Sequence, residues 1–178
     1  TLIPPELTHI HLSPHSGPKD HDDATLLFSL ARERQPRRVL ELGTAHGATV
    51  ANICALTNAT VYTVNALPEQ IGGDLVTFAL DQDEIGCVYR KAGYASRVVQ
   101  IYENTRHFKP EHYIAPGSID FAIIDACHDA DYVVSDFLRI QPVLASNALV
   151  LLHDVHPSMK AHLGDSYIAC MYLRKLGF

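Results

Sequence analysis

The 178 residues, 47% hydrophobic and 19% charged, suffice for one globular domain and are too apolar for an intrinsically disordered chain. Fourteen Lys and Arg against 20 Asp and Glu give a formal charge of −6, which argues against nucleic-acid phosphates as the main partner. No apolar run reaches the roughly 18 residues of a membrane helix, and four separated cysteines behind a polar N-terminus predict free thiols and a cytoplasmic protein.

In chain order, an irregular arm precedes an alternation of strands and helices. Residues 1–18 carry four of the ten prolines, so we expect an arm over 1–18 and a single domain over 19–178. The domain opens with a helix over 20–34. The predicted strands are RVLEL, ATVYTV, RVVQIY, SIDFAII and NALVLLHDV, and the later helices are ATVANICAL, DEIGCVYRKAG, DADYVVSDFLRIQPVL and SYIACMYLRKLGF. This alternation predicts a doubly wound α/β fold with helices on both faces of a parallel sheet.

The first two strands end in residues suited to a nucleotide-like ligand, since such sheets bind ligands beyond the C-terminal strand ends. Gly43 and Gly47 bracket a tight turn that leaves the N–H groups of the next helix free. A turn without a ligand would need the same glycines. Asn65 lies 22 residues after Gly43, where nucleotide-binding folds place a ribose-binding Asp or Glu, although an ordinary loop Asn would fit there too.

The fourth and fifth strands deliver acids and imidazoles to the same edge. Asp125 follows FAII directly and is soon followed by His128, while His153 and Asp154 follow ALVLL. Helix capping by the acids and solvated histidines are the alternatives to a reactive cluster. Adjacent strand residues point to opposite faces, so His153 and Asp154 can share one ion only if the strand has already turned there.

Four segments together resemble a known family: VLELGTAHGATV, VYTVNALPE, SIDFAIIDACHDADYVVSDF and LASNALVLLHDVHP. They resemble class I S-adenosylmethionine-dependent methyltransferases, and more closely the small-molecule O-methyltransferase branch that includes catechol O-methyltransferase and bacterial sugar O-methyltransferases. The likeness covers about residues 20–178. It implies a Rossmann-like parallel sheet of strand order 3-2-1-4-5, here lacking the antiparallel strand pair with which the family sheet usually ends.

The resemblance also implies roles for individual residues. The residues implied to bind the cofactor S-adenosylmethionine are Glu41, Gly43, Thr44, Ala45, Gly47, Thr49, Asn65, Asn104 and Asp125. Within this set Asn65 would hold the ribose, Asn104 the adenine, and Asp125 would lie beside the sulfonium. His128 is implied to deprotonate the acceptor together with Asp125 as catalytic residues. Asp125, His153 and Asp154 are implied ligands of a divalent metal such as magnesium, although His153 would favour softer ions.

The function expected from this resemblance is S-adenosylmethionine-dependent O-methylation of a small hydroxylated molecule. The alternatives are a degenerate member that binds cofactor without methyl transfer, and a metal-dependent hydroxylase-like relative. A nicotinamide dehydrogenase is disfavoured because the full GxGxxG pattern is missing. We expect a small-molecule acceptor and neither nucleic acid nor membrane as partner. An unpaired fifth strand would favour a homodimer or a covering segment.

Overall fold

The centre of the computed structural model, which describes residues 21–71, 79–157 and 164–178, is a five-stranded parallel sheet. The strands are β1 Arg38–Leu42, β2 Thr60–Val64, β3 Val98–Ile101, β4 Ile119–Ile124 and β5 Leu144–Leu152. They lie in the order β3-β2-β1-β4-β5. The predicted fold class and strand order are confirmed. The expected arm over 1–18 lies outside the described residues, so the division into arm and domain stays a prediction.

Five helices of the described chain surround the sheet. They are α1 His21–Arg34, α2 Ala48–Leu56, α3 Cys87–Lys91, α4 Ala130–Ile140 and α5 Ser166–Lys175. α3 is shorter than predicted because Gly86, in the left-handed region at φ 72°, precedes its first turn. α4 ends at Ile140 and passes into a 3-10 turn over Gln141–Val143, where Pro142 has no N–H to continue the α-helical hydrogen bonds. No helix of the described ranges is long and apolar enough to cross a bilayer.

Both faces of the sheet are buried at its centre, along β1 and β4, which leaves the strand ends for chemistry. Leu40 and Leu42 of β1 pack with Phe137 of α4 and the residues of α5. Val39, on the opposite face, packs with Ile53 of α2 and the residues of α1. Alternate residues of one strand thus enter two separate cores, as expected for a sheet covered on both sides.

Candidate functional site

The loop after β1 lies directly against the end of β4. Gly43 has φ 102°, and a Cβ atom there would lie 2.0 Å from the carbonyl oxygen of Asp125. The Asp125 N–H donates to the carbonyl of Leu42 at 2.8 Å, which continues the ladder between β1 and β4. Close backbone packing therefore demands a glycine here even without a ligand. A side chain at this position is therefore expected to disturb the fold itself, and not only the approach of a ligand.

The remainder of this loop is held in place by the segment around α3. Gly47 has φ 80°, and a Cβ atom there would lie 2.7 Å from the ring of Tyr89. The N–H of Gly86 donates to the carbonyl of Ala45 at 2.9 Å. Ala45 has the unusual φ of 44° and is exposed, while Thr49 is half-buried in the first turn of α2. The loop therefore presents Ala45 outward in a conformation fixed by its neighbours.

A row of polar side chains, the buried Glu41 and Thr63 and the half-buried Gln100, crosses β1, β2 and β3 at one register position. Thr63 Oγ1 donates to Glu41 Oε2 at 2.6 Å, and its hydroxyl lies 2.7 Å from that of Thr44. Gln100 Nε2 donates to Thr44 Oγ1 at 3.0 Å. Burial raises the pKa of Glu41 to about 8. This polar row connects the predicted residues Glu41 and Thr44.

Sequence reasoning missed Thr63 and Gln100. The signal was present, because each of the first three strands carries one polar residue just before its C-terminal end. Polar residues are costly inside a two-sided core unless they find partners. Their recurrence at equivalent positions in neighbouring strands therefore indicates a hydrogen-bonded row.

The two predicted asparagines use their side chains to hold loops together. Asn65 Oδ1 accepts from the N–H of Ala45 at 3.0 Å, and its Nδ2 donates to the carbonyl of Ala66 at 2.8 Å. Asn104 Nδ2 donates to the carbonyl of Gln70 at 3.1 Å. Beside Asn104 lies an open cleft of about 440 Å³, lined by Gln70, Glu103, Asn104, His107, Lys109 and His112.

Four side chains beyond β4 and β5 converge in what we call the Asp–His cluster: Asp125, His128, His153 and Asp154. His128 Nε2 lies 3.3 Å from Asp125 Oδ1 and 3.1 Å from Asp154 Oδ2. His153 Nδ1 lies 3.1 Å and 3.2 Å from the same two oxygens. Each imidazole nitrogen thus faces both carboxylates, and all four atoms lie within 4.8 Å of one another.

Backbone features explain how these residues meet. β5 ends at Leu152, and Asp154 adopts a left-handed φ of 54°, so the chain has left the strand where His153 and Asp154 project. The predicted strand had continued to Val155. This turn is the condition under which the two side chains can face one point. The carbonyl of His128 accepts from the buried Ser166 hydroxyl at 3.1 Å, which fixes the loop before α4.

Charge attraction dominates the electrostatics of the Asp–His cluster. Hydrogen bonding to Asp125 and Asp154 raises the pKa of His128 to about 9. Burial opposes the charged form of His153, but the same carboxylates outweigh it and raise its pKa to about 11. Burial likewise disfavours ionised carboxylates, yet the imidazoles hold the pKa values of Asp125 and Asp154 below their usual range. Without a cation, the cluster holds two ionised acids and two protonated imidazoles at neutral pH.

The donor atoms fit a divalent cation. His153 Nδ1 is buried and forms no properly oriented hydrogen bond with any described residue, although two carboxylate oxygens lie within 3.2 Å. Bonds of about 2.0–2.2 Å to one ion place neighbouring ligand atoms about 3 Å apart, which matches the separations within the cluster. A cation between the four atoms would give the Nδ1 of His153 a partner and would offset the negative charge of both carboxylates.

Comparison with known proteins assigns the chain to a family. The profile of a family described as a methyltransferase domain matches residues 40–155, from β1 through the Asp–His cluster. The chain belongs to this family. None of the proteins with curated functions matches the sequence of this methyltransferase-domain protein.

Solved methyltransferase structures share the fold. The O-methyltransferase TomG of Streptomyces achromogenes, involved in tomaymycin synthesis and crystallised with S-adenosylmethionine, is 20% identical with a TM-score of 0.65, over 86% of this chain and 66% of that one. An O-methyltransferase of Bacillus cereus in complex with S-adenosylhomocysteine is 15% identical with a TM-score of 0.62, over 96% and 72%. A Podospora anserina methyltransferase bound to S-adenosylhomocysteine is 21% identical with a TM-score of 0.55, over 75% and 52%. The chain thus spans about half to two thirds of the first and third of these proteins.

Proposed function

We propose that this protein is an S-adenosylmethionine-dependent O-methyltransferase acting on a small hydroxylated molecule. One observation carries the proposal: Gly43 lies against the backbone of Asp125. This contact brings the loop predicted to hold the methionine part of the cofactor next to the cluster predicted to activate the acceptor. Methyl transfer needs donor and acceptor aligned at one place, so the adjacency supports this chemistry.

The cofactor would lie over the β1 loop. Ala45 is exposed at its tip, and the first N–H groups of α2 lie just beyond Gly47. A close approach to such backbone suits the polar methionine end of the cofactor. Asn65 would contact the ribose only through the hydrogen-bonding capacity that remains after its bonds to Ala45 and Ala66. Asn104 borders the cleft on the side where the adenine would lie.

Asp125 would favour the sulfonium group by charge. Its lowered pKa keeps the carboxylate ionised at neutral pH. A positively charged sulfonium nearby would be attracted to this carboxylate, which helps to hold the reactive methyl toward the acceptor. The acceptor hydroxyl would lie on the far side of the methyl, near the Asp–His cluster.

The acceptor proton would leave through the Asp–His cluster. The raised pKa of His128 means that without a cation its imidazole already carries a proton at neutral pH and cannot take another. Asp125, His153 and Asp154 are the predicted ligands of a divalent ion, which when bound lowers the pKa of a neighbouring hydroxyl. Loading a cation also expels protons from the imidazoles, so the catalytic role of His128 is tied to the occupancy of the cluster.

The test combines binding with turnover. Calorimetric titration with S-adenosylhomocysteine should show one site, and labelled S-adenosylmethionine should transfer methyl to members of a panel of phenols and sugars. Asp125→Asn should remove turnover, whereas Asp129→Asn, an exposed acid in the same loop, should retain it. Absence of S-adenosylhomocysteine binding by the unmodified protein would refute the proposal. Binding without transfer to any acceptor would favour the degenerate cofactor-binding alternative.

A hydroxylase-like relative is the second candidate, favoured by the composition of the Asp–His cluster. Two imidazoles and a carboxylate are the ligand set of non-haem iron(II) oxygenases. Oxygen consumption by the iron-loaded protein in the presence of a reductant and the acceptor panel, with no methyl transfer, would support this candidate over the first.

A homodimer and a cytoplasmic location remain predictions. Over the described residues β5 pairs only with β4, so its outer edge offers backbone groups to a second chain. Sedimentation equilibrium should show a dimer, unless another segment of the chain covers this edge. A monomer whose β5 edge amides exchange freely with solvent would contradict the prediction.

A further inference from the structure

We propose that the Asp–His cluster is a four-ligand site for a transition-metal ion such as Zn²⁺, in which His128 is a ligand, and that it discriminates against Mg²⁺. The proposal deepens the proposed function by naming the ion and the fourth ligand of the same site, and it replaces the predicted role of His128 as base, because an Nε2 that binds the ion cannot also take the acceptor proton. It stands on the geometry of the cluster and does not require methyl transfer.

The position of His128 is the first argument. Its Nε2 lies 3.3 Å from Asp125 Oδ1 and 3.1 Å from Asp154 Oδ2, and His153 Nδ1 faces the same two oxygens at 3.1 and 3.2 Å. The two imidazoles are therefore equivalent with respect to the carboxylates. An ion that contacts both acids and His153 would also lie within reach of His128.

Anchoring of the His128 loop is the second argument. Its carbonyl accepts from Ser166 Oγ at 3.1 Å, and a Cβ atom at Gly164 would lie 2.8 Å from that same carbonyl oxygen. Backbone packing from the segment before α5 thus holds His128 at the cluster. Preorganised ligands of this kind favour metal binding, since little ordering remains to be done when the ion arrives.

The chemistry of the donors selects the ion. Mg²⁺ prefers oxygen ligands and retains several of its waters, whereas two imidazole nitrogens with two carboxylate oxygens suit Zn²⁺ and its transition-metal neighbours. When an ion displaces its proton, the buried Nδ1 of His153, which lacks an oriented hydrogen bond among the described residues, offers a lone pair that Mg²⁺ uses poorly. A site of this composition should thus take Zn²⁺ or Co²⁺ at concentrations where Mg²⁺ leaves it empty.

The experiment measures metal binding directly. The full chain is stripped with a chelator, dialysed and titrated with Co²⁺, whose visible absorption reports nitrogen ligands, and Zn²⁺ and Mg²⁺ are then used as competitors. We expect one Co²⁺ per chain, displaced by equimolar Zn²⁺ and retained in a hundredfold excess of Mg²⁺. No Co²⁺ binding, or displacement by Mg²⁺ at equal concentration, would overturn the proposal.

Two variants of His128 and one control test the fourth ligand. His128→Gln should weaken Zn²⁺ binding at least about tenfold, the smallest loss expected even for an outer-sphere partner, and should change the Co²⁺ spectrum. His128→Asp should restore binding but shift the Zn²⁺ to Mg²⁺ preference toward Mg²⁺ at least tenfold. His112→Gln, which alters an exposed histidine outside the cluster, should leave both readouts unchanged. A His128→Gln protein with an unaltered Co²⁺ spectrum would show that His128 is no ligand.

Titration with S-adenosylhomocysteine in the same preparations separates the two proposals. Cofactor binding without Co²⁺ binding would refute the four-ligand site and leave the methyltransferase proposal standing. Co²⁺ binding without cofactor binding would support the four-ligand site and refute the methyltransferase proposal.

Discussion

Two groups of polar side chains at the same edge of the sheet differ in how completely their polar atoms find hydrogen-bond partners. In the polar row, Glu41, Thr63 and Gln100 are linked by hydrogen bonds through the Thr44 hydroxyl. In the Asp–His cluster, two acids and two imidazoles crowd together, and His153 Nδ1 has no oriented partner among the described residues.

This difference separates residues that hold the fold in place from residues that would bind a ligand. A buried polar group whose hydrogen bonds are made stabilises one conformation. A buried nitrogen that has no oriented hydrogen bond and lies beside two carboxylates indicates a position where a further group would bind. The polar row therefore holds the β1 loop in shape, and the cluster is the place where a ligand would bind. Substitutions in the two regions should accordingly change different observables.

The largest effect should come from the contact that joins the two regions. Gly43→Val puts a side chain 2.0 Å from the Asp125 carbonyl oxygen at a φ of 102°, so we expect a loss of about 3 kcal/mol or more in the free energy of unfolding. Urea unfolding followed by circular dichroism would measure it. Gly117→Ala is the control, because its φ is 65° but no described atom lies within 4 Å of the added Cβ. Equal losses in both variants would show that close packing at Gly43 is not the cause.

Asp154→Asn should impair chemistry more than folding. Removing one carboxylate takes away a predicted metal ligand, so we expect turnover to fall by about 100-fold or more, which corresponds to about 2.7 kcal/mol in the barrier. The affinity for S-adenosylhomocysteine should stay within about threefold, since the β1 loop is untouched. Steady-state kinetics and calorimetry would separate the two quantities. A similar loss of cofactor affinity would show that Asp154 also contributes to cofactor binding, so that the two regions act as one functional unit.

The metal-free form of the same variant has a pH signature. The carboxylates raise the pKa of His153 to about 11, so removing one should lower it toward the ordinary value. Titration of the imidazole signals by NMR, with metal excluded, would follow the change. Unchanged imidazole titration would mean that Asp154 does not act on the imidazoles.

Glu41→Gln should change the pH dependence of stability. The pKa of Glu41 is raised from 4.5 to about 8 by burial, so the folded state keeps a proton that the unfolded state has lost over that range. Stability from this group is therefore fully present below about pH 4.5 and is lost as the pH rises to about 8, by up to about 1.4 kcal/mol per pH unit. Between pH 5 and 8 the free energy of unfolding of the variant should rise relative to that of the unmodified protein, as measured by urea unfolding. An equal pH dependence in both proteins would contradict a neutral buried Glu41.

Asn65→Asp should have the smallest effect. The carboxylate would still accept from the Ala45 N–H but could no longer donate to the Ala66 carbonyl, so we expect a loss of about 1 kcal/mol in stability. If Asn65 also holds the ribose, cofactor affinity should be kept or increased, because a charged acceptor strengthens a hydrogen bond. Complete loss of S-adenosylhomocysteine binding with a folded protein would indicate another ligand or orientation.

Much of the fold followed from local pattern, because alternating apolar strands and amphipathic helices require a covered parallel sheet whatever the details. The doubly wound sheet and the Gly43 turn were predictable in this way, whereas the strand order 3-2-1-4-5 was implied by the family resemblance. The polar row was not predicted, although Glu41 itself was, since Thr63 and Gln100 are each a polar residue between apolar neighbours in its own strand. Only the register between β1, β2 and β3 brings Glu41, Thr63 and Gln100 side by side.

Residue order alone places Asp125 directly after the apolar run FAII, with His128 three residues later, and His153 and Asp154 directly after ALVLL. The tertiary structure decided that they meet. β5 stops at Leu152, and Asp154 turns into the left-handed region, so two neighbours that a strand would point apart face one centre. The hydroxyl of Ser166, the first residue of α5, holds the backbone of His128 opposite them. Convergence depends on backbone dihedrals and packing between distant segments, which residue types alone do not specify.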